Sequence, residues 1–138
     1  MNHSLLTNIG LDSFVSIDVE TTGLDLKNDK IIEIAACRYK KGCLKETFQT
    51  LINPKIKISP FISNLTGIQN SQLNNKPTFF EIAKDLVSFI KNEPIIGHNI
   101  KFDLNFINKE LNGTYNIYNQ NYICDTYYLS KIFLFNSE

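Results

Sequence analysis

Histidine, arginine and cysteine are all scarce in this chain, and its charge is balanced. It has two histidines (His3 and His98), one arginine (Arg38) and three cysteines (Cys37, Cys43 and Cys124). The cysteines are odd in number and lack CxxC spacing, which argues against a disulfide framework and a thiolate zinc site. Reduced cysteines fit a cytoplasmic protein. A single arginine makes bidentate recognition of phosphate or guanine a minor theme at most. Basic and acidic residues number 14 each, so the broad basic footprint of many nucleic-acid binders is missing. Any such contact has to be local. Lys40, Lys41 and Lys45 near a hairpin tip, and Lys55 and Lys57 in a loop, read as solvated surface. No apolar run approaches a membrane span, and the first residues, MNHSLLTNIG, lack the pattern of a signal peptide.

What remains is an ordinary globular balance, 43% apolar over 138 residues, enough for one domain with its own core. Residues 1–12 read as a tail and 13–138 as the folded unit. Strands are predicted at Ser13–Glu20, Lys30–Lys40 and Cys43–Asn53, the last two joined by the Lys41-Gly42 turn. Ser59-Pro60 opens a short helical turn that ends at Thr66-Gly67-Ile68, and Asn70-Ser71 starts another. Thr78 and Glu81 form a capping box for a helix to Asn92 that buries Phe79, Ala83, Leu86 and Ile90. Pro94–Gly97 is a short strand. Asn99 is expected to cap a helix from Ile100 to Asn112, closed by Gly113. Residues 114–119 read as irregular, Tyr122–Cys124 as a fifth strand, and Asp125 as the cap of a helix from Thr126 to about Phe135. An early hairpin followed by a strand-helix-strand crossover gives a mixed α/β sheet covered by helices.

The chemistry-bearing stretch is Phe14–Leu24, FVSIDVETTGL. On a strand, residues two apart share a face, so Asp18 and Glu20 emerge together while Val15, Ile17 and Val19 face a core. Two such acids can be the wet face of a half-buried strand, or a cation site that relieves their mutual repulsion. Asp103 has apolar residues on both sides of it in a helix's first turn. It either serves the helix dipole or leans across to complete a carboxylate cage with Asp18 and Glu20. Such a cage suits Mg²⁺ or Mn²⁺, and a pair of these ions is the machinery of phosphodiester hydrolysis.

Taken together these segments resemble the DnaQ-like 3′-to-5′ exonucleases, the DEDD group. Asp18-Val-Glu20-Thr-Thr-Gly-Leu24 is similar to their first motif, and His98-Asn99-x-x-Phe102-Asp103 to their second. Asn64-Leu65-Thr66-Gly67-Ile68 resembles the segment between, and Cys124-Asp125-Thr126 the stretch that follows. The resemblance covers nearly the whole chain and points to the proofreading type, as in the epsilon subunit of bacterial DNA polymerase III. It implies a ribonuclease H-like five-stranded sheet, antiparallel over the first three strands and parallel later. It also implies that Asp18, Glu20 and Asp103 are catalytic metal ligands. Thr21, Thr22 and Leu24 would hold the 3′-terminal nucleotide, Thr66 and Gly67 its base or sugar, and Asn99 and Phe102 the pocket beside the scissile phosphate. His98 is expected to be structural.

The family's third motif, a histidine followed five residues later by an aspartate, has no match here, since neither His3 nor His98 fits it. The expectation is therefore an exonuclease domain incomplete at its C-terminus, with its last helices missing, and weakly active or inactive alone. The implied substrate is a single-stranded DNA 3′ end, and the implied partner a DNA polymerase subunit. The alternatives are an RNA 3′-end-trimming enzyme and a non-catalytic remnant that binds nucleic acid or a polymerase.

Overall fold

The computed structural model describes residues 10–134. His3, most of the tail and the predicted helix end at Phe135 lie outside the described residues. The sheet has five strands, β1 (Ser13–Thr21), β2 (Ile31–Lys40), β3 (Cys43–Leu51), β4 (Ile95–Gly97) and β5 (Ile123–Asp125), in the spatial order β3-β2-β1-β4-β5. β1, β2 and β3 are antiparallel neighbours, whereas β4 pairs with β1, and β5 with β4, in parallel. The mixed sheet expected from the sequence is present. Lys41 and Gly42 both adopt positive φ at the β2–β3 turn, at 52° and 72°, which matches the right-handed twist of a tight hairpin.

Among the described residues six helices accompany the sheet: α1 (Pro60–Thr66), α2 (Asn70–Leu73), α3 (Phe79–Ile90), α4 (Lys101–Leu111), α5 (Ile117–Gln120) and α6 (Thr126–Leu134). Ser59 caps α1 by accepting from the Ile62 amide, Pro60 occupies its first turn, and Gly67 closes it in the left-handed conformation. The capping box of Thr78 and Glu81 opens α3. That helix buries Phe79, Ile82, Leu86 and Ile90; Ala83 is only half-buried, so its apolar stripe is rotated slightly from the expected one.

Two expectations fail at α4. Asn99 is not its cap, because Ile100 holds that position with helical dihedrals and Asn99 stands in the left-handed region at φ 53°. The helix also closes on Asn112, at φ 48°, before Gly113. Residues 114–119 are not wholly irregular. Asn116 accepts from the Tyr118 amide and starts α5, and Asn108 of α4 accepts from Ile117 N. Asparagine serves both as cap and as turn residue, so spacing alone did not reveal that short helix.

The core lies between one face of the sheet and the pair α3–α4. Val15, Ile17 and Val19 of β1, with Ile34 of β2 and Ile95 of β4, meet Leu86, Ile90, Leu104, Phe106 and Ile107. Each fully buried side chain of this size contributes about 1.5–3 kcal/mol. A smaller cluster of Ile32, Ile58, Ile62, Ile68 and Leu73 anchors α1 and α2 to β2. Adjacent β2 residues Ile31 and Ile32 point opposite ways and enter different clusters, and the register slip between Glu20 and Thr21 puts Ile31, rather than Ile32, with Ile34 and Ala36. Cys37, Cys43 and Cys124 are free thiols. Among the described residues no helix is long and apolar enough to cross a membrane.

Candidate active site

The site forms where β1 outruns its parallel neighbour. β1 pairs with β4 only at Val15 and Ser16. The Val15 amide donates to Pro94 O at 2.8 Å, so it points toward β4. Amides two residues apart on a strand point the same way, so the Val19 amide also points that way, past the end of β4. A buried amide needs a partner, and none comes from the sheet. The chain leaves β4 at Gly97, turns through His98 and Asn99, and enters α4, which brings Asp103 against this gap. Asp103 Oδ1 accepts from Val19 N at 2.9 Å, across 84 residues of sequence. Asp103 stands in the first turn of α4 and reaches across to strand one, while the cage with Asp18 and Glu20 is not closed as the side chains stand.

Gly97 makes the turn possible. A Cβ there would lie 2.9 Å from Ile100 Cγ1 and 3.0 Å from Ile100 Cβ. Ile100 is fully buried, so glycine is what lets the helix start so close to the strand end.

Asp18 and Glu20 project from the opposite side of β1 to Val19, Asp18 exposed and Glu20 half-buried. Asp103 is 6% exposed. Burial pushes its carboxyl up to about 6, and the charges of Asp18 and Glu20 push the same way against the help of the Val19 amide. Though its side chain reaches solvent, partial desolvation against the strand also raises Asp18, with Glu33 adding to it, and desolvation raises Glu20, with Asp18 and Glu33 adding. Glu33 faces Glu20 across the β1–β2 ladder and accepts from Gln49 Nε2 at 2.9 Å. Sequence reasoning missed it. The signal was present in the alternation of β2, which puts Glu33 on the wet face opposite β1's acids.

This is a concentration of hard oxygen donors whose like charges work against one another's ionisation. Its donor chemistry fits a divalent cation of the Mg²⁺ or Mn²⁺ type. Among the described residues no three such side chains stand at ligand spacing as they are placed. Asp103 is fixed by its hydrogen bond, while the exposed Asp18 side chain is free to turn.

The remaining candidates lie on four segments of the chain, each with partners of its own. Thr21 is buried and its hydroxyl donates to Gly23 O at 2.6 Å. Thr22 lies in the following loop, and Leu24 there is 84% exposed. Thr66 and Gly67 end α1, where the Thr66 hydroxyl donates to Ile62 O and accepts from Ile68 N. Phe102 stacks obliquely on Phe106, their ring centres 4.9 Å apart. The Asn99 backbone N–H donates to Asp125 Oδ1, which also accepts from Tyr127 N in the first turn of α6. His98 Nδ1 lies 3.3 Å from Thr126 Oγ1, and its ring meets Tyr127 edge-on.

Comparison with known proteins agrees with this architecture. The profile of the family described as "Exonuclease" (RNase_T) matches residues 15–135. The chain is 41% identical over 100 residues to a DNA polymerase III of the PolC type from Clostridium perfringens, covering 72% of this chain and 7% of that protein. It is 41% identical over 99 residues to a DNA polymerase III subunit epsilon from Treponema pallidum, covering 72% of this chain and 46% of that protein. The chain thus spans less than half of either relative. Among solved structures, a metal-free complex of E. coli ExoI with single-stranded DNA superposes with a TM-score of 0.78 at 20% identity, covering 92% of this chain and 31% of that one. That likeness establishes the fold, the five-stranded ribonuclease H-like sheet. By its sequence and its fold, the chain belongs to the DnaQ-like 3′-to-5′ exonuclease family.

Proposed function

We propose that residues 13–138 form a divalent-metal-dependent exonuclease domain that removes nucleotides from the 3′ ends of single-stranded DNA in the cytoplasm, in the service of a DNA polymerase, and that without a match to the family's third motif it is only weakly active by itself. The observation that carries this reading is the reach of Asp103 from α4 to the free end of β1, beside Asp18 and Glu20. Relatives named as polymerase III chains, and a fold shared with a complex containing single-stranded DNA, support it.

Asp18, Glu20 and Asp103 would hold Mg²⁺ or Mn²⁺, which supplies positive charge to the scissile phosphate and acidifies the attacking water. The protein's own contribution is placement. Asp103 is locked by the Val19 amide, so one ligand is set before any ion arrives. Leu24 and the backbone at Thr21 and Thr22 would seat the terminal nucleotide. Thr66 and Gly67 would bound its base or sugar, and Asn99 and Phe102 would line the pocket by the phosphate. Loss of positioning of this kind is costly, because correct geometry alone supplies several orders of magnitude in rate.

The test is nucleotide release from a 5′-labelled single-stranded DNA in Mn²⁺, wild type against Asp18→Ala, with an RNA of the same sequence alongside. Release by the wild type alone supports the proposal. Faster release from RNA would move the substrate to RNA 3′ ends. Rates equal to Asp18→Ala, in folded samples, would overturn catalysis and leave a domain that only binds.

A further inference from the structure

We propose that Asp29 is a positioning residue for the 3′-terminal nucleotide, and that with Lys109 it ties the loop after β1 to the helix that carries Asp103. The inference rests on the reading of Thr22 and Leu24 given above and adds residues that lie outside the family-like motifs.

The loop between β1 and β2 is built around the Asp29 carboxylate. Its Oδ1 accepts from the Thr22 hydroxyl at 2.7 Å, and its Oδ2 from the Asp25 amide at 2.8 Å. Those two bonds bracket Gly23 and Leu24. The Thr22 hydroxyl is itself an acceptor for Lys30 N, and Thr22 N donates to Lys30 O. Gly23 is glycine for the same reason. Its φ is not positive, but a Cβ there would come within 2.8 Å of Asp29 Cγ. The carboxylate thus occupies the volume that any larger residue at 23 would need.

An 84% exposed leucine at the tip of so heavily bonded a loop gains nothing from the fold. A lone apolar side chain on the surface of a loose loop calls for no explanation. Here two carboxylate bonds fix its backbone, so the side chain is presented to solvent in a set position, which lowers the ordering cost that a bound partner would otherwise meet. The second half of the arrangement is Lys109. Its ammonium donates to the Asp29 carbonyl and pairs with Glu110 at 3.1 Å, and Glu110 pairs with Lys30 at 3.5 Å. Lys109 lies on α4 about 9 Å along the axis from Asp103, at about 1.5 Å per residue. Loop and metal-side helix are therefore held as one body: the segment that would seat the nucleotide cannot shift without pulling on the helix that would seat the ion.

The test combines steady-state nucleotide release in Mn²⁺ with fluorescence anisotropy of a labelled dT12 in EDTA. Both are read on wild type, Asp29→Ala, Gly23→Ala, the double variant and Lys109→Met, with Asp18→Ala as control and thermal melting on each. The expected result for Asp29→Ala is a KM raised at least 10-fold, kcat within 3-fold, and dT12 binding weakened in proportion. Gly23→Ala should weaken binding similarly, and the double variant should be no worse than Asp29→Ala alone, since the displaced group is gone. Lys109→Met should raise KM several-fold. A purely structural role would lower the melting temperature and the active fraction while leaving KM and anisotropy unchanged, and that result overturns the proposal. So does additivity in the double variant. Should wild type release no more nucleotide than Asp18→Ala, the catalytic reading fails by itself, and the brace stands or falls on the anisotropy: a 10-fold loss in Asp29→Ala sustains it, and equal or absent binding ends it.

Discussion

Replacing Asp103 by Asn should make the metal-free protein relatively more stable as pH rises. In the unfolded chain the Asp103 carboxyl loses its proton around the ordinary 3.8, whereas in the folded chain it holds it to about 6. Stability from this group is therefore fully present below about pH 4 and is lost as pH rises through about 6. A shift of about two units corresponds to about 3 kcal/mol, at 1.36 kcal/mol per unit. Water reaches the mouth of the site through the exposed Asp18, and screening brings the expected effect down to about 1–2 kcal/mol. The Asn side chain cannot ionise but keeps an oxygen for the Val19 amide, so the fixed cost of the substitution is the same at every pH and cancels. Melting of both proteins in EDTA from pH 4 to 8 should show the difference, Asp103→Asn minus wild type, climbing by about 3–8 °C. Mn²⁺ at pH 7.5 should raise the wild type and leave Asp103→Asn nearly unmoved. A difference that stays flat from pH 4 to 8 would refute the account of Asp103 as a buried, charge-crowded acid.

Gly97→Ala should cost about 1–3 kcal/mol by overpacking against the buried Ile100, measured by urea denaturation. Arg38→Met should cost about 1–3 kcal/mol, because its guanidinium donates to the Phe89 carbonyl, meets Glu46 at 3.0 Å and Glu93 at 3.3 Å, and lies over the Phe89 ring. A change below about 0.5 kcal/mol in the same assay would show those contacts to be idle. Leu24→Ala should leave the urea midpoint unchanged, since that side chain is exposed, while raising KM for single-stranded DNA; an unchanged KM would remove Leu24 from the nucleotide seat.

Most of the sheet was legible because its signals are local. The alternation in Phe14–Glu20, the Lys41-Gly42 turn and the Ser59-Pro60 and Thr78–Glu81 caps each decide their own neighbourhood. What failed was asparagine. Asn99, Asn112 and Asn116 sit in a left-handed bend, a helix end and a helix start respectively, and nothing in the residue itself says which. The pairing of Asp103 with β1 was readable only as one of two options, because it depends on where β4 stops. Glu33 and Asp29 were hidden for different reasons. Glu33 enters through strand register, which a one-residue slip would reverse, and Asp29 through a loop whose hydrogen bonds have no periodicity to betray them.

The bond between Asp103 and Val19 also constrains how such a domain can change over generations. Asp18 is exposed and Glu20 half-buried, so a lineage freed from selection for cutting nucleic acid could replace either at little cost to folding. Asp103 satisfies an amide that the sheet leaves open, and its loss to an apolar residue would cost about 1–3 kcal/mol. Decay of such a domain should therefore erase the first motif before the second. A descendant that kept Asp103 but lacked Asp18 and Glu20 would carry a record of former catalysis, preserved by the needs of the backbone.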